Sequence, residues 1–107
     1  MKQRPEPLPT YDANIAIDAL AEALSALKGA AEIRAFLEDL CTPAELEAMG
    51  DRWRVVPCLL QGLPYREIHD RTLVSVTTVG RVARTLERGT GGYGIAARRL
   101  RLPTDPP

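Results

Sequence analysis

Hydrophobic residues recur at helical spacing through the first part of the chain. Between Tyr11 and Lys28 they fall at steps of three and four residues, which predicts one apolar stripe on an α-helix that stops at Gly29. The stripe consists of Ile15, Ala16, Ala19, Leu20, Ala23, Leu24 and Leu27. Residues 30–40 repeat the pattern with Ile33, Phe36, Leu37 and Leu40. Because no stretch alternates apolar and polar residues as a strand does, we expect an all-α fold of about six helices.

A third helix begins near Thr42, which is a suitable N-cap, and Pro43 fits its first turn. The apolar pattern continues to about Gln61, and Gly62 predicts the end of the helix. Pro57 lies inside this span, where it lacks an N–H donor and clashes with the carbonyl four residues earlier. We therefore expect either a kink at Pro57 or a helix broken into two shorter pieces.

A helix-turn-helix is predicted over about residues 64–88. Pro64 starts a short helix that directs Ile68 inward, and a break follows at residues 72–74. Ser75 is a good N-cap for a second helix. The inner face of the second helix carries Val79, Val82 and Leu86. Its outer face is left with Thr77, Thr78, Gly80, Arg81 and Arg84.

These outer residues have the chemistry of a helix that reads DNA. Threonine offers a hydroxyl and a methyl group to base edges, arginine reaches guanine or phosphate, and the small Gly80 permits close approach to the groove. The alternative without a function is a pair of ordinary packed helices with a solvated arginine face. The candidate DNA-binding residues are Arg66, His69, Ser75, Thr77, Thr78, Gly80, Arg81 and Arg84.

Two positions depart from the usual helix-turn-helix pattern. Leu73 lies in the turn where the backbone commonly needs a positive φ, which favours glycine and costs leucine about 1 kcal/mol. His69 lies where the first helix usually carries a small residue, so we expect its side chain to point outward, toward phosphate.

The charge of the chain is neutral overall but unevenly distributed. Residues 1–50 contain four Lys and Arg against nine Asp and Glu, whereas residues 51–107 contain ten arginines against five acidic residues. Such a chain presents a cationic face without net positive charge. An adaptor that had kept the fold and lost DNA binding is the alternative, but it gives no reason to gather ten arginines in the second half.

Several other classes of protein are disfavoured. No apolar run approaches the roughly 18–20 residues that span a bilayer, and the amino terminus does not look like a secretory signal, so we expect a cytoplasmic protein. Cys41 and Cys58 lack the spacing of a zinc site, and a disulfide is not expected in a reducing compartment. His69 is the one histidine, and the scattered carboxylates offer it no convergent catalytic set, so we expect no enzyme and no required cofactor.

The chain is short enough for a single helical domain, predicted over residues 11–102. The proline-rich residues 1–10 and 103–107 are typical of disordered or extended ends. The first helix carries an Ala and Leu stripe with few large side chains, which suits close packing against a helix of a second subunit. An intramolecular bundle is the alternative.

The combined pattern resembles the Trp repressor superfamily. The resemblance rests on four segments within residues 33–93: Leu40–Arg52, Leu59–Gly62, Tyr65–Ile68 and Thr77–Val82. The glycine-rich segment Arg88–Tyr93 is more similar to the YerC/YecD-type branch than to the repressor proper. The resemblance implies an intertwined homodimer whose paired helix-turn-helix units enter successive major grooves of a palindromic operator, and hence a transcriptional regulator, expected to be a repressor.

The resemblance also implies a corepressor site for tryptophan. By position it corresponds to Leu40, Thr42, Arg52, Arg81, Val82 and Thr85. Arg52 and Arg81 match the two arginines that hold the ligand, although they could equally contact phosphate or bridge to Glu45 and Glu47. Val82 replaces the glycine against which the indole would lie, so we expect tryptophan to bind weakly or not at all.

Overall fold

The computed structural model describes residues 12–105, and every regular element in that part of the chain is an α-helix. The six helices are α1 (Ala13–Ala26), α2 (Gly29–Leu40), α3 (Pro43–Leu60), α4 (Tyr65–Thr72), α5 (Val76–Arg88) and α6 (Gly92–Arg99). The predicted all-α class is confirmed. Residues 1–11 and 106–107, with the tail expected at residues 1–10, lie outside the described residues. None of the six helices is long and apolar enough to cross a membrane.

The chain divides into two compact units at the boundary between Leu40 and Cys41. Helices α1 and α2 belong to the first unit, and helices α3 to α6 belong to the second. The structure thus divides the chain into two units, whereas the sequence predicts a single domain over residues 11–102. The single domain stays a prediction.

The first unit has helices but no buried side chain within the described residues 12–40. Asp12 caps α1, because its Oδ1 accepts hydrogen bonds from the N–H groups of Asn14 (2.9 Å) and Ile15 (3.4 Å). Neither α1 nor α2 contains a buried residue, and Ile15 on the predicted stripe is 67% exposed. An uncovered apolar stripe of this kind is what the sequence leads us to expect of a surface that packs against a second subunit.

Helix α3 begins with a complete capping box, and its N-cap is the predicted Thr42. The Thr42 Oγ1 accepts from the Glu45 N–H at 3.1 Å, and the Glu45 carboxylate accepts from the Thr42 N–H at 2.8 Å. The alternative of a helix broken at Pro57 is wrong, because α3 is continuous from Pro43 to Leu60. Pro57 lies in the last turn, where its missing N–H leaves only the carbonyl four residues earlier without its helical partner.

The core of the second unit lies where α4 and α5 pack on α3. Val55 and Val56 of α3 and Ile68 of α4 are fully buried. They form one cluster with Val74 from the turn and with Val79 and Val82 from α5. The predicted inward positions Ile68, Val79 and Val82 are therefore confirmed. Branched side chains fill this small space densely. They also lose little rotamer freedom on burial.

Helix α6 is joined to this core through two aromatic rings. The centroids of Trp53 on α3 and Tyr93 on α6 lie 6.2 Å apart, with the ring planes inclined by 32°. Two positions of the glycine-rich segment before α6 require glycine for steric or backbone reasons. A Cβ on Gly89 would lie 2.6 Å from the Thr85 carbonyl oxygen, and Gly91 has a φ of 92°.

The end of the chain is attached to α3 as far as the structure describes it. Residues 103–105 have no regular structure, but the Asp105 N–H donates to the Leu60 carbonyl at 2.7 Å. This contact favours the extended alternative over the disordered one for residues 103–105.

The turn between α4 and α5 requires a left-handed residue, as the sequence predicts for Leu73. Leu73 has φ 64° and ψ 8°, and its N–H donates to the His69 carbonyl at 2.7 Å. Its side chain is 82% exposed, so packing does not compensate the strain within the chain.

We predict that Leu73→Gly raises the free energy of unfolding by about 0.5–1 kcal/mol. Relief of the left-handed strain, about 1–2 kcal/mol, exceeds the entropy that glycine adds to the unfolded chain. Leu73→Ala keeps the β-carbon and serves as the control, with an expected change near zero. Urea unfolding at one fixed protein concentration measures both variants, and equal stability of the glycine and alanine variants would contradict the strain.

Candidate nucleic-acid interface

Helices α4 and α5 and the turn Leu73–Ser75 form a helix-turn-helix whose inner side is the core described above. Each helix buries the residues that face α3 and leaves its opposite side in solvent. The exposed side of α5 includes Thr77, Arg81 and Arg84, and Arg66 is exposed on α4. These four predicted DNA-binding residues thus lie on exposed sides of the two helices.

The three arginines of this surface are free of acidic partners in the described chain. Within residues 12–105 the ion pairs are Arg34–Glu38, Arg54–Asp51 and Arg71–Glu67. Arg66, Arg81 and Arg84 take part in none of them. Their guanidinium groups therefore carry donors that an anionic partner such as a phosphate could accept.

Hydroxyl groups hold the turn in position from inside. The Thr72 Oγ1 donates to the Ile68 carbonyl at 2.7 Å and accepts from the Val74 N–H at 3.1 Å. Thr72 is itself buried, so its hydroxyl satisfies backbone groups that water does not reach. The end of α4 and the beginning of the turn are thereby tied together at one atom.

The His69 side chain contacts the turn from its place on α4. Its Nδ1 lies 2.8 Å from the Val74 carbonyl oxygen, and because a carbonyl only accepts, the ring donates through Nδ1–H. The ring is half-buried. The turn therefore holds the imidazole through Nδ1, and a contact of His69 with phosphate stays a prediction.

Ser75 and Thr78 are engaged with each other at the beginning of α5. The Ser75 Oγ accepts from the Thr78 N–H and donates to the Thr78 Oγ1, both at 3.1 Å. Ser75 is the predicted N-cap, and this assignment is confirmed. Thr78 is half-buried, so the two hydroxyls fix the helix start, and a role of either in DNA binding stays a prediction.

Gly80 is buried, which corrects its expected place on the outside of α5. A Cβ built on Gly80 would lie 3.6 Å from the Tyr65 ring and 3.6 Å from the Arg84 guanidinium. Gly80 thus lies where α4 and α5 meet, and its approach to a DNA groove stays a prediction.

Sequence reasoning missed two exposed residues at the beginnings of the two helices. Tyr65 is 43% exposed and Val76 is 47% exposed, and each is the first residue of its helix. Their first-turn positions, next to Pro64 and Ser75, were the available signal. Apolar side chains at such positions attract attention only once their exposure is known.

The residues expected to hold a small ligand do not all line one cavity. Arg52 and Arg81 line one cavity of about 300 Å³ between α3, the turn and α5. The described residues show no bridge from either arginine to Glu45 or Glu47. The other lining residues are Ala48, Asp51, Leu73, Val74, Ser75 and Thr78.

The remaining residues of the expected ligand site have other roles in the structure. Val82 is 1% exposed and belongs to the hydrophobic core, and its place in a ligand site stays a prediction. Thr42 closes the capping box of α3, and the Thr85 Oγ1 donates to the Arg81 carbonyl at 3.1 Å. Leu40 ends α2 in the first unit and is 51% exposed.

Clusters that could hold a metal ion are also absent from the described part of the chain, where three or more His, Cys, Asp or Glu side chains nowhere come together.

Comparison with known proteins identifies this architecture. The Trp repressor protein family matches residues 16–101, which include all of α2 to α6. The chain belongs to the Trp repressor family. Proteins of this type are regulatory DNA-binding proteins and not enzymes.

Individual relatives of the Trp repressor family agree with this assignment. The chain is 33% identical to the YerC protein of Bacillus subtilis over 85 residues, which is 79% of this chain and 82% of YerC. A Trp repressor-like crystal structure from Staphylococcus aureus is 31% identical with a TM-score of 0.79, covering 85% of this chain and 91% of its own. One from Eubacterium eligens is 33% identical with a TM-score of 0.76, covering 82% and 91%.

We predict that Thr72→Val lowers the free energy of unfolding by about 1–3 kcal/mol. Valine has the shape of threonine but leaves the buried Val74 N–H without its acceptor. Thr72→Ser keeps the hydroxyl and loses one methyl group, so it should cost clearly less. Denaturant unfolding of the two variants compares them directly, and a valine variant as stable as the serine variant would show that the hydroxyl does not hold the turn.

Proposed function

We propose that this Trp repressor family protein is a dimeric repressor that binds a palindromic operator through α4 and α5. The observation that carries the proposal is the two-sidedness of α5. Val79 and Val82 are buried against α3, while Thr77, Arg81 and Arg84 are exposed on the same helix. A helix fixed on one side with hydroxyl and guanidinium groups on the other suits insertion into a major groove.

The distribution of charge supports a nucleic-acid partner over a protein adaptor. All ten arginines of residues 51–107 belong to the unit that contains the helix-turn-helix. A phosphate backbone attracts such a surface, and release of counterions supplies much of the affinity. An adaptor without DNA binding would need no excess of unpaired guanidinium groups beside a helix-turn-helix.

The dimer is supported by the first unit, which buries none of its own helical residues. Ile15 and Leu20 expose apolar surface on α1. A second copy of the chain would cover this surface, and a two-fold axis would present two helix-turn-helix units to the two halves of a palindrome. Control by a small ligand is a further part of the proposal. The cavity that holds Arg52 and Arg81 suits a ligand with a carboxylate group, the group that tryptophan carries.

We predict that binding to a duplex selected from a random pool weakens steeply with salt and that Arg66→Gln lowers the slope of the salt dependence by about 2, because both protomers of the dimer carry the substitution. The variant should weaken binding to the selected duplex and to a random duplex alike, because a phosphate contact carries no base information. Arg34→Gln removes one positive charge from the first unit and is the matched control, with no expected change. Fluorescence anisotropy between 50 and 200 mM salt, a range in which DNA-binding proteins typically lose much of their affinity, gives the slopes.

A chain that binds no duplex at low salt would contradict the proposed function. Binding that is independent of salt would contradict the part assigned to the arginines.

We predict a dimer of about 23 kDa, twice the 11.7 kDa of the chain, at micromolar concentration. Leu20→Asp places a charge in the apolar stripe of α1 and should shift the dimer toward monomer or unfolded chain. Ala21→Asp adds the same charge to an exposed position off the stripe and should leave the dimer intact. Light scattering after size exclusion distinguishes the species, and a wild-type monomer that binds DNA would contradict the dimer.

A further inference from the structure

Tyr65 lies across the boundary between the two helices of the helix-turn-helix. It is the first residue of α4, yet its ring Cε2 is 3.6 Å from the place where a Cβ on Gly80 of α5 would be. Within the described residues the Tyr65 hydroxyl makes no hydrogen bond, and 43% of the residue is exposed. An aromatic ring thus rests on α5 while its polar end stays available.

The ring is placed beside the exposed cations and hydroxyls of α5. Gly80 lies one turn after Thr77 and one turn before Arg84, and residues at these spacings are neighbours on a helix surface. The Arg84 Nη1 is also 3.6 Å from the same Cβ position on Gly80. Tyr65 therefore occupies the edge of the surface that the proposed function presents to DNA.

Gly80 is the residue of α5 on which the Tyr65 ring lies. Glycine inside a helix costs about 1 kcal/mol relative to alanine, so its presence in the middle of α5 is unfavourable by itself. A β-carbon at 3.6 Å would only touch the ring, but a longer side chain at Gly80 would occupy the space of both Tyr65 and Arg84. The absence of a side chain at position 80 therefore leaves room for the Tyr65 ring.

We propose that Tyr65 contacts a DNA phosphate, donating a hydrogen bond from its hydroxyl, and that Gly80 positions it. The inference rests on the proposed function. In helix-turn-helix proteins the first helix crosses the backbone of the duplex, so the first turn of α4 faces phosphates. Tyrosine hydroxyls are among the groups that bind phosphate oxygens, and such contacts fix the register of the protein without reading sequence.

The first test is Tyr65→Phe, which removes the hydroxyl and keeps the ring on Gly80. We expect at least about 10-fold weaker binding to a duplex selected by the wild-type chain, and the same loss on a random duplex, as for a lost hydrogen bond to a charged group. Tyr93→Phe, on the ring that packs near Trp53, is the matched control. Circular dichroism and the unfolding transition show whether each variant is folded.

A second test uses the position of the ring. Gly80→Leu should displace Tyr65 and weaken binding more than Gly80→Ala does, because only the longer side chain extends into the space that the Tyr65 ring occupies. If the leucine variant acts through Tyr65, adding Tyr65→Phe to it should cause less than twofold further loss in a double-mutant cycle. Independent effects that multiply would overturn the positioning role of Gly80.

The phosphate itself can be located on the selected duplex. Replacing phosphates one at a time by neutral methylphosphonates should abolish the effect of Tyr65→Phe at one position in each half-site. Equal binding of Tyr65→Phe and the wild-type chain overturns this inference and leaves the proposed function standing. A loss confined to particular base pairs overturns the phosphate contact, and failure of the wild-type chain to bind any duplex overturns both proposals.

Discussion

The packing of branched aliphatic side chains on α3 is the interaction on which the second unit depends. Val55 and Val56 form a floor against which Ile68 and Val79 are buried completely. Each fully buried side chain of this size contributes about 1.5–3 kcal/mol relative to exposure to water, and two short helices have little other means of holding an angle. If this contact were lost, α4 and α5 would no longer be held together as one unit.

The turn depends on the same cluster but adds polar constraints to it. Val74 enters the core directly after the left-handed Leu73, and both polar groups of its backbone are bound by side chains. The Thr72 hydroxyl receives its N–H, and the His69 ring donates to its carbonyl. Because Val74 is buried, these groups would otherwise lack partners, at a cost of about 1–3 kcal/mol for each. His69, a predicted DNA-binding residue, therefore also serves the geometry of the turn.

Much of this fold is predictable from the sequence because it follows from local rules. The helix periodicity, the N-caps at Thr42 and Ser75 and the positive φ of Leu73 each depend on a few neighbouring residues. The branch of the family was predicted from the glycine-rich segment in the same way, and the similarity to YerC agrees with it.

The site prediction that failed concerns a residue whose surroundings come from another element. Gly80 faces outward on a helical wheel of α5, but it is buried beneath the ring of Tyr65 from α4. The contact between the His69 ring and the Val74 carbonyl, five residues later in the chain, likewise depends on how the turn folds and not on spacing alone. Val82, by contrast, was predictable as an inward residue from its apolar spacing, and it lies in the core.

The inner and outer positions of α5 are under different physical constraints, and this difference shapes the protein as a reader of DNA. Val79 and Val82 are fixed by close packing, in which the loss of even one methyl group is felt. Thr77 and Arg81 are exposed, so substitutions at these positions cost the fold little. These positions can therefore differ between proteins that bind different DNA sequences. Tyr65 is exposed and Gly80 is buried beneath its ring, so this pair joins the two helices at the edge of the outer surface. A glycine in the middle of α5 costs helix stability, but it leaves room for the Tyr65 ring beside the residues that the proposed function presents to DNA.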